Sequence, residues 1–268
     1  LERTLKKIIA SLFIIIFTLY SCKTIYVKDK ETTANILLKN LLRESEKIGD
    51  VTVSGMIRIN GVPEIPSTAY ISFTFAGNLK DEKGTFGIYL LKKPVMEIIF
   101  DKKEVLIVNR KSLQYKKINV DETDYSKLIG VNFNPIEACY FLLGKIPYSE
   151  NMTLINYDWN SKEHIMDLST SVSTYKIKLN YDELIVWSEI NNQFFEKIFL
   201  DSIKYVKNDD NAYVPKQATF KTDDEKRTLY FIIDKTSLNT KYTTDVNSID
   251  LTGYSEVKSL EDFDMKAK

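Results

Sequence analysis

The sequence predicts a mainly β fold: a single curved antiparallel sheet, or incomplete barrel, with an N-terminal helix and two short helices covering the concave face. Three observations carry this expectation. From Val51 onward, apolar and polar residues alternate with a period of two through many short segments separated by turn residues, the pattern of half-buried antiparallel strands. Helical spacing precedes the first of these segments, and the strand rhythm breaks once, between about residues 124 and 143. Hydrophobic residues make up 44% of the chain and aromatic residues 12%, enough for a sizeable core. No Pro/Gly/Ser linker or long charge run divides the chain, which favours one large domain.

The chain opens with Arg3, Lys6 and Lys7, continues through an apolar run from Ile8 to Leu19 and reaches Tyr20-Ser21-Cys22. A charged start, an apolar core and a small residue before a cut form the layout of a secretory signal. The 13 residues from Ile8 to Tyr20 fall short of the roughly 18 to 20 that span a bilayer. Leu19-Tyr20-Ser21-Cys22 resembles the bacterial lipobox, which implies cleavage before Cys22 and acylation of that cysteine. Residues 1–21 are accordingly read as a lipoprotein signal peptide and 22–32 as a lipidated tether. Residues 33–235 form the folded domain and 236–268 a C-terminal extension.

Thr32 or Thr33 is placed to cap a helix that carries Ile36, Leu37, Leu38, Leu41 and Leu42 at helical spacing and stops at Gly49-Asp50. Strands follow around 51–59, 69–75, 86–91, 98–100, 105–108 and 113–115, with turns at Gly61-Val62-Pro63, Lys92-Lys93-Pro94 and Asp101-Lys102-Lys103. Residues 124–129 and 134–143 read as the two short helices. In the second, Asn134 is the N-cap, Pro135 takes the first helical position and Gly144 closes the helix, so that Ile136, Cys139, Tyr140 and Leu143 line its buried face. Strands resume at 153–155, 164–168, 175–179, 185–187, 194–205, 215–221 and 229–233. The remainder has weak periodicity apart from Ser248 to Leu251.

Removing Glu2, Arg3, Lys6 and Lys7 with the signal leaves 34 basic and 36 acidic residues, a net charge of −2. That balance argues against a nucleic-acid partner, which needs a concentrated basic face. Covalent chemistry finds little support. His164 is the single histidine and begins a strand after a polar turn, so a strand-end imidazole is favoured over a catalytic base, and no GxSxG elbow accompanies it. HExxH, CxxC and glycine-rich phosphate loops are absent from the sequence, and no cofactor or metal is expected. A pair of carboxylates could hydrolyse a glycan without histidine, but the sequence singles out no pair. With Cys22 acylated, Cys139 has no disulfide partner and reads as a small core residue.

Three segments, in order, resemble the LolA/LolB lipoprotein-localisation family, and the outer-membrane receptor LolB most. Gly55 opens the strand meander after the N-terminal helix. Ile88 to Ile99, with Lys92-Lys93-Pro94-Val95-Met96 inside it, is similar to that family's strand, Pro-hydrophobic loop and returning strand. Asn134-Pro135 through Phe141-Leu142-Leu143-Gly144-Lys145-Ile146-Pro147 is similar to its Pro-started helix and stop. Tyr213 to Gln217 resembles its Pro-led strand before the final hairpin. The resemblance covers roughly residues 33 to 235. It implies a protein held at the outer membrane through Cys22, facing the periplasm. Such a protein binds acylated cargo, a lipoprotein or a lipid, non-covalently, with a LolA-like periplasmic carrier as a partner. Phe73, Phe75, Ile88, Leu90, Ile107 and Trp187 are the candidates for the lining of a concave acyl cavity. Lys92, Lys93, Pro94, Val95 and Met96 are the candidates for a membrane-facing tip at its mouth, with Val95 or Met96 turned outward. The alternatives are that Val95 folds back onto the core, and that the same scaffold has a solidly packed core and serves as a structural or protein-interaction lipoprotein.

Cys22→Ser should abolish metabolic labelling with palmitate and leave an uncleaved or soluble precursor. Labelling that persists in the Ser variant would rule out Cys22 as the acylation site.

Overall fold

The computed structural model describes residues 30–61, 69–91, 93–120, 132, 134–160, 162–207, 213–224, 226–238, 241–244, 246–259 and 262–263. The signal, Cys22, Lys92 and the helix expected at 124–129 lie outside the described residues. The described chain forms one sheet of 14 strands with two α-helices against it.

Helix α1 (Lys30–Glu46) precedes strands β1 (Asp50–Asn60), β2 (Ile71–Asn78), β3 (Lys83–Leu90), β4 (Lys93–Phe100), β5 (Glu104–Asn109) and β6 (Gln114–Asn119). Helix α2 (Pro135–Leu142) interrupts them. Strands β7 (Thr153–Trp159), β8 (His164–Ser169), β9 (Ser173–Leu179), β10 (Ile185–Asn192), β11 (Ile198–Lys207), β12 (Tyr213–Thr222), β13 (Thr228–Leu238) and β14 (Ser255–Glu256) complete the series. The sheet order is β14-β6-β5-β4-β3-β2-β1-β13-β12-β11-β10-β9-β8-β7. Two antiparallel meanders, β1–β6 and β7–β13, therefore run outward from a central seam where β1 pairs with β13. The ends of the sheet do not meet, which leaves an open curved sheet with β14 and β7 at its edges.

Alternation assigns the faces. Val51, Val53, Ile57 and Ile59 of β1, Phe73 and Phe75 of β2, and Ile177 and Leu179 of β9 are buried on one side, together with Ala34, Leu37 and Leu38 of α1 and all of α2 from Glu137 onward. Both helices thus cover the same, concave face. Its centre is aromatic: Phe73 meets Phe231 edge-on at 5.2 Å and stacks on Phe86 at 5.9 Å, and Phe231 meets Phe220 edge-on at 5.7 Å. Such pairs add about 0.5–1.5 kcal/mol each beyond the burial of their area.

Helix α1 starts at Lys30, two to three residues before the expected cap, and Lys30 reaches Asp158 of β7 at 3.2 Å. The C-terminal segment is not a loose extension. Val246 is buried on the convex face against Ile99, Leu106 and Val108, with Ile249, Leu251 and Tyr254 beside it. Strand β14 then adds in parallel to β6 and blunts that edge. Ile249 and Leu251 take part in this outer contact, next to a short 3₁₀ turn at Val246–Ser248. The segment lacked a legible period because it packs with isolated residues rather than one alternating face.

At the seam, the register shifts between Ser54 and Gly55, where Lys235 and Ile233 are their respective partners. A Cβ at Gly55 would lie 2.0 Å from the Ile232 carbonyl oxygen, so β13 approaches here as only glycine allows. Gly55→Ala must push backbone rather than a flexible side chain. It should cost about 2–3 kcal/mol, read as a lower denaturation midpoint in urea with an unchanged slope.

Candidate functional site

Four of the six candidate lining residues meet on the concave face: Phe73, Phe75, Ile88 and Ile107 are all buried in the main core. The other two do not. Leu90 belongs to the inward set by alternation, but it ends β3 beyond the covering elements and is 59% exposed. Trp187 lies on the convex face, tilted against Phe199 at 6.1 Å and under the Lys178 ammonium at 5.1 Å. The cause is a register shift between Ile185 and Trp187. One extra residue in a strand reverses the parity of everything after it, so counting by twos from buried Ile185 assigns Trp187 to the wrong side.

The tip also differs from expectation. Strand β3 runs on to Leu90, which pairs with Lys93 at the start of β4. Met96 faces inward opposite Ile88 and is buried, and Val95 is half-buried at a register irregularity. Lys93 and Pro94 are exposed. The apolar residues that project are Leu90 and, above all, Leu91, which is 90% exposed with φ +50°. A tight hairpin requires positive φ in its turn, and glycine or asparagine ordinarily supplies it. Leucine holds that conformation at a cost of about 1–2 kcal/mol.

A second feature is a pocket of about 330 Å³ at the other end of the concave face, floored by α2. The local sequence builds α2 as expected: Asn134 Oδ1 accepts from the backbone N–H of Ile136 at 2.9 Å and of Glu137 at 3.3 Å, and Gly144 ends the helix at φ +69°. Cys139, Tyr140 and Leu143 are buried, whereas Ile136 is half-buried. The helix is enclosed on all sides rather than along one stripe, which draws in a residue the stripe would have left outside. Glu137, in the first turn, is only 8% exposed.

Three neutral donors converge on Glu137 Oε1: Ser173 Oγ at 2.6 Å, Tyr175 Oη at 2.6 Å and Asn192 Nδ2 at 3.2 Å. The Asn192 amide also donates to Ser173 Oγ at 2.8 Å. Burial pushes the Glu137 carboxyl above its usual range, opposed by the hydrogen bonds from Ser173, Tyr175 and Asn192. Burial, reinforced by the Glu137 charge, raises the Tyr175 phenol as well. None of the four residues stood out in the sequence. The available signal was an acid inside the apolar run Pro135-Ile136-Glu137-Ala138-Cys139, close behind an N-cap.

His164 is half-buried rather than freely solvated. Its Nδ1 lies 2.7 Å from the Tyr157 hydroxyl, and its ring stacks with Tyr157 and Trp159 at 6.0 and 6.4 Å. Among the described residues, no three potential ligands cluster to hold a metal ion, and no helix is long and apolar enough to cross a membrane.

A carboxyl raised in the native state binds its proton more tightly there than in the unfolded chain, so the stability that it confers is greatest at low pH and falls as pH rises. Relative to Glu137→Gln, the native chain should lose stability as pH climbs above about 4.5, the unshifted value, levelling off beyond the raised native value. Urea denaturation of both chains from about pH 4 to about pH 8 measures the difference. A constant difference across that range would contradict the assignment.

No protein-family model and no curated protein matches the sequence. Solved structures do match. A domain from Vibrio parahaemolyticus, assigned to outer-membrane lipoprotein sorting, superposes with a TM-score of 0.55 at 8% identity, over 77% of this chain and 92% of that one. A LolA superfamily protein from Nitrosomonas europaea gives a TM-score of 0.49 at 10% identity, over 76% and 94% of the two chains. A DUF1329 family protein from Desulfovibrio piger gives 0.47 at 10% identity, over 80% and 95%. At such low identity the likeness concerns architecture alone. The fold of this chain is similar to that of the Vibrio parahaemolyticus domain.

Proposed function

We propose that this protein is an envelope lipoprotein, anchored through Cys22 to the outer membrane and facing the periplasm, that binds acylated cargo non-covalently and passes it to the bilayer. The observation that carries this reading is the β3–β4 hairpin, where Leu90 and Leu91 project into solvent from a LolA-like sheet beside exposed Lys93. A strained, 90% exposed leucine in a turn that glycine would fill without cost has no folding rationale. Inserted among headgroups, two leucines supply about 1.5–3 kcal/mol each when fully buried. A lysine adds about 1 kcal/mol near an anionic surface. The role expected of Val95 and Met96 thus moves to Leu90 and Leu91, because Met96 is committed to the core. The lining of the acyl site consists of Phe73, Phe75, Ile88 and Ile107, which separate when the helices shift from the concave face to admit a chain. A LolA-like carrier is the partner that would deliver the cargo.

Leu90→Ser combined with Leu91→Gly tests the tip in the Cys22→Ser background, where the anchor no longer dominates membrane binding. Association with vesicles of phosphatidylethanolamine and phosphatidylglycerol should fall at least tenfold, while thermal stability holds or rises as the turn relaxes. Undiminished association would remove the membrane-delivery role. Mass spectrometry of lipid co-purified with the Cys22→Ser form addresses the cargo. Its absence would favour a structural or protein-interaction lipoprotein with a solid core.

A further inference from the structure

The pocket over α2 is built differently from an acyl site. Glu137, only 8% exposed, lines it, and all three hydrogen bonds to its carboxyl end on Oε1. Among the described residues, Oε2 accepts none, and no lysine, arginine or histidine pairs with the carboxylate. A buried carboxylate without a counter-charge is costly to hold, and neutral donors offset only part of that cost. The surrounding wall adds to the imbalance: Glu82 and Asp101 also line the pocket, against one basic residue, Lys102. At the rim, Val172 is 39% and Phe194 48% exposed, an apolar margin around an acidic floor. About 330 Å³ places the pocket at the small end of the volumes that ligands occupy.

We propose that this pocket is a binding site for an organic ammonium group carried on a short apolar body, with Glu137 Oε2 as its counter-ion and Val172 and Phe194 against its hydrocarbon. An ammonium supplies both things that the floor lacks: a donor for the unused oxygen and a positive charge in a low-dielectric setting, where such a pair is strong. A carboxylate ligand would meet three acids. An alcohol would satisfy the oxygen without balancing the charge. Ser173, Tyr175 and Asn192 act as positioning residues, since their bonds to Oε1 fix the carboxylate and leave the second oxygen without a donor among the described residues. The site stands on these contacts and not on the acyl-binding reading, so the vesicle experiment and the one below can fail separately.

Hexylammonium chloride, hexanol and sodium hexanoate, each non-micellar, are titrated into the full-length, isotope-labelled protein in a non-ionic detergent. The side-chain amide resonance of Asn192, which donates to Glu137 Oε1, is the readout. Hexylammonium should shift it with at least tenfold higher affinity than hexanol, and hexanoate should not bind. Glu137→Gln keeps an oxygen for Ser173 and Tyr175 and should bring the affinity for hexylammonium down to that for hexanol, leaving hexanol unchanged. Phe194→Ser should weaken both. Equal affinity for the amine and the alcohol, or full amine affinity in a folded Glu137→Gln chain, would overturn the proposal. If Glu137→Gln does not fold, Asn192→Asp, which sets a second carboxylate beside the first, should strengthen amine binding over hexanol, read from the backbone amide resonances of the lining residues Val172 and Phe194 because this variant lacks the Asn192 amide. Failure to do so would overturn it equally.

Discussion

The pairing of β1 with β13 is the constraint on which the rest of the molecule depends. It joins residues as far apart as Val51 and Leu238 and converts two local meanders into one continuous surface. Each meander can form from near neighbours, but neither closes a core. Only when the seam forms do Phe73 and Phe231 come edge to edge and the concave face become deep enough to hold two helices. Closing so long a loop carries an entropic cost that grows slowly with length, and the contacts that offset it appear only after closure. A requirement this demanding explains why the seam tolerates no side chain at Gly55, where the carbonyl of Ile232 occupies the space of a Cβ.

From the seam outward, register decides what each face carries. Irregularities at Ser54/Gly55, Ile88/Tyr89, Leu154/Asn156, Ile185/Trp187, Leu200/Ser202 and Lys204/Tyr205 recur through the sheet. Each one bends a strand and resets its alternation, so curvature and side-chain address are set together. The convex face gains a character of its own. Trp187 and Phe199 meet under lysine ammonium groups, and Arg58 lies between the rings of Tyr70 and Tyr230 at 5.4 and 5.2 Å. The C-terminal segment seals another part of that face through Val246.

The two ends of the concave face contrast in chemistry. One carries an apolar hairpin whose leucines point away from the protein. The other carries a carboxylate drawn inward by the enclosure of α2 and held by Ser173, Tyr175 and Asn192 from β9 and β10. The middle is closed by aromatic packing. In such an arrangement, an apolar cargo and a small polar ligand need not compete, because the surfaces that would take them are formed by different strands and reward different chemistry.

The sequence by itself determined the fold class, the N-terminal helix, the approximate places of β1 to β13, the cap and stop of α2 and the burial of Phe73, Phe75, Ile88 and Ile107. All of these follow from local periodicity and from residues, such as Asn134, Pro135 and Gly144, whose backbone preferences act within a few positions. It also placed a turn between β3 and β4, but not the apolar residues that are exposed there. Which apolar residues are exposed there depends on how β3 and β4 pair: Leu90 sits opposite Lys93, and Met96 sits opposite Ile88 in the core. Trp187 escaped because a bulge is invisible to a count by twos. The buried carboxyl of Glu137 escaped because its three donors come from residues 36 to 55 positions away. Only the tertiary structure, by enclosing α2 on all sides and bringing β9 and β10 beneath it, could turn a helix-start glutamate into the floor of a pocket.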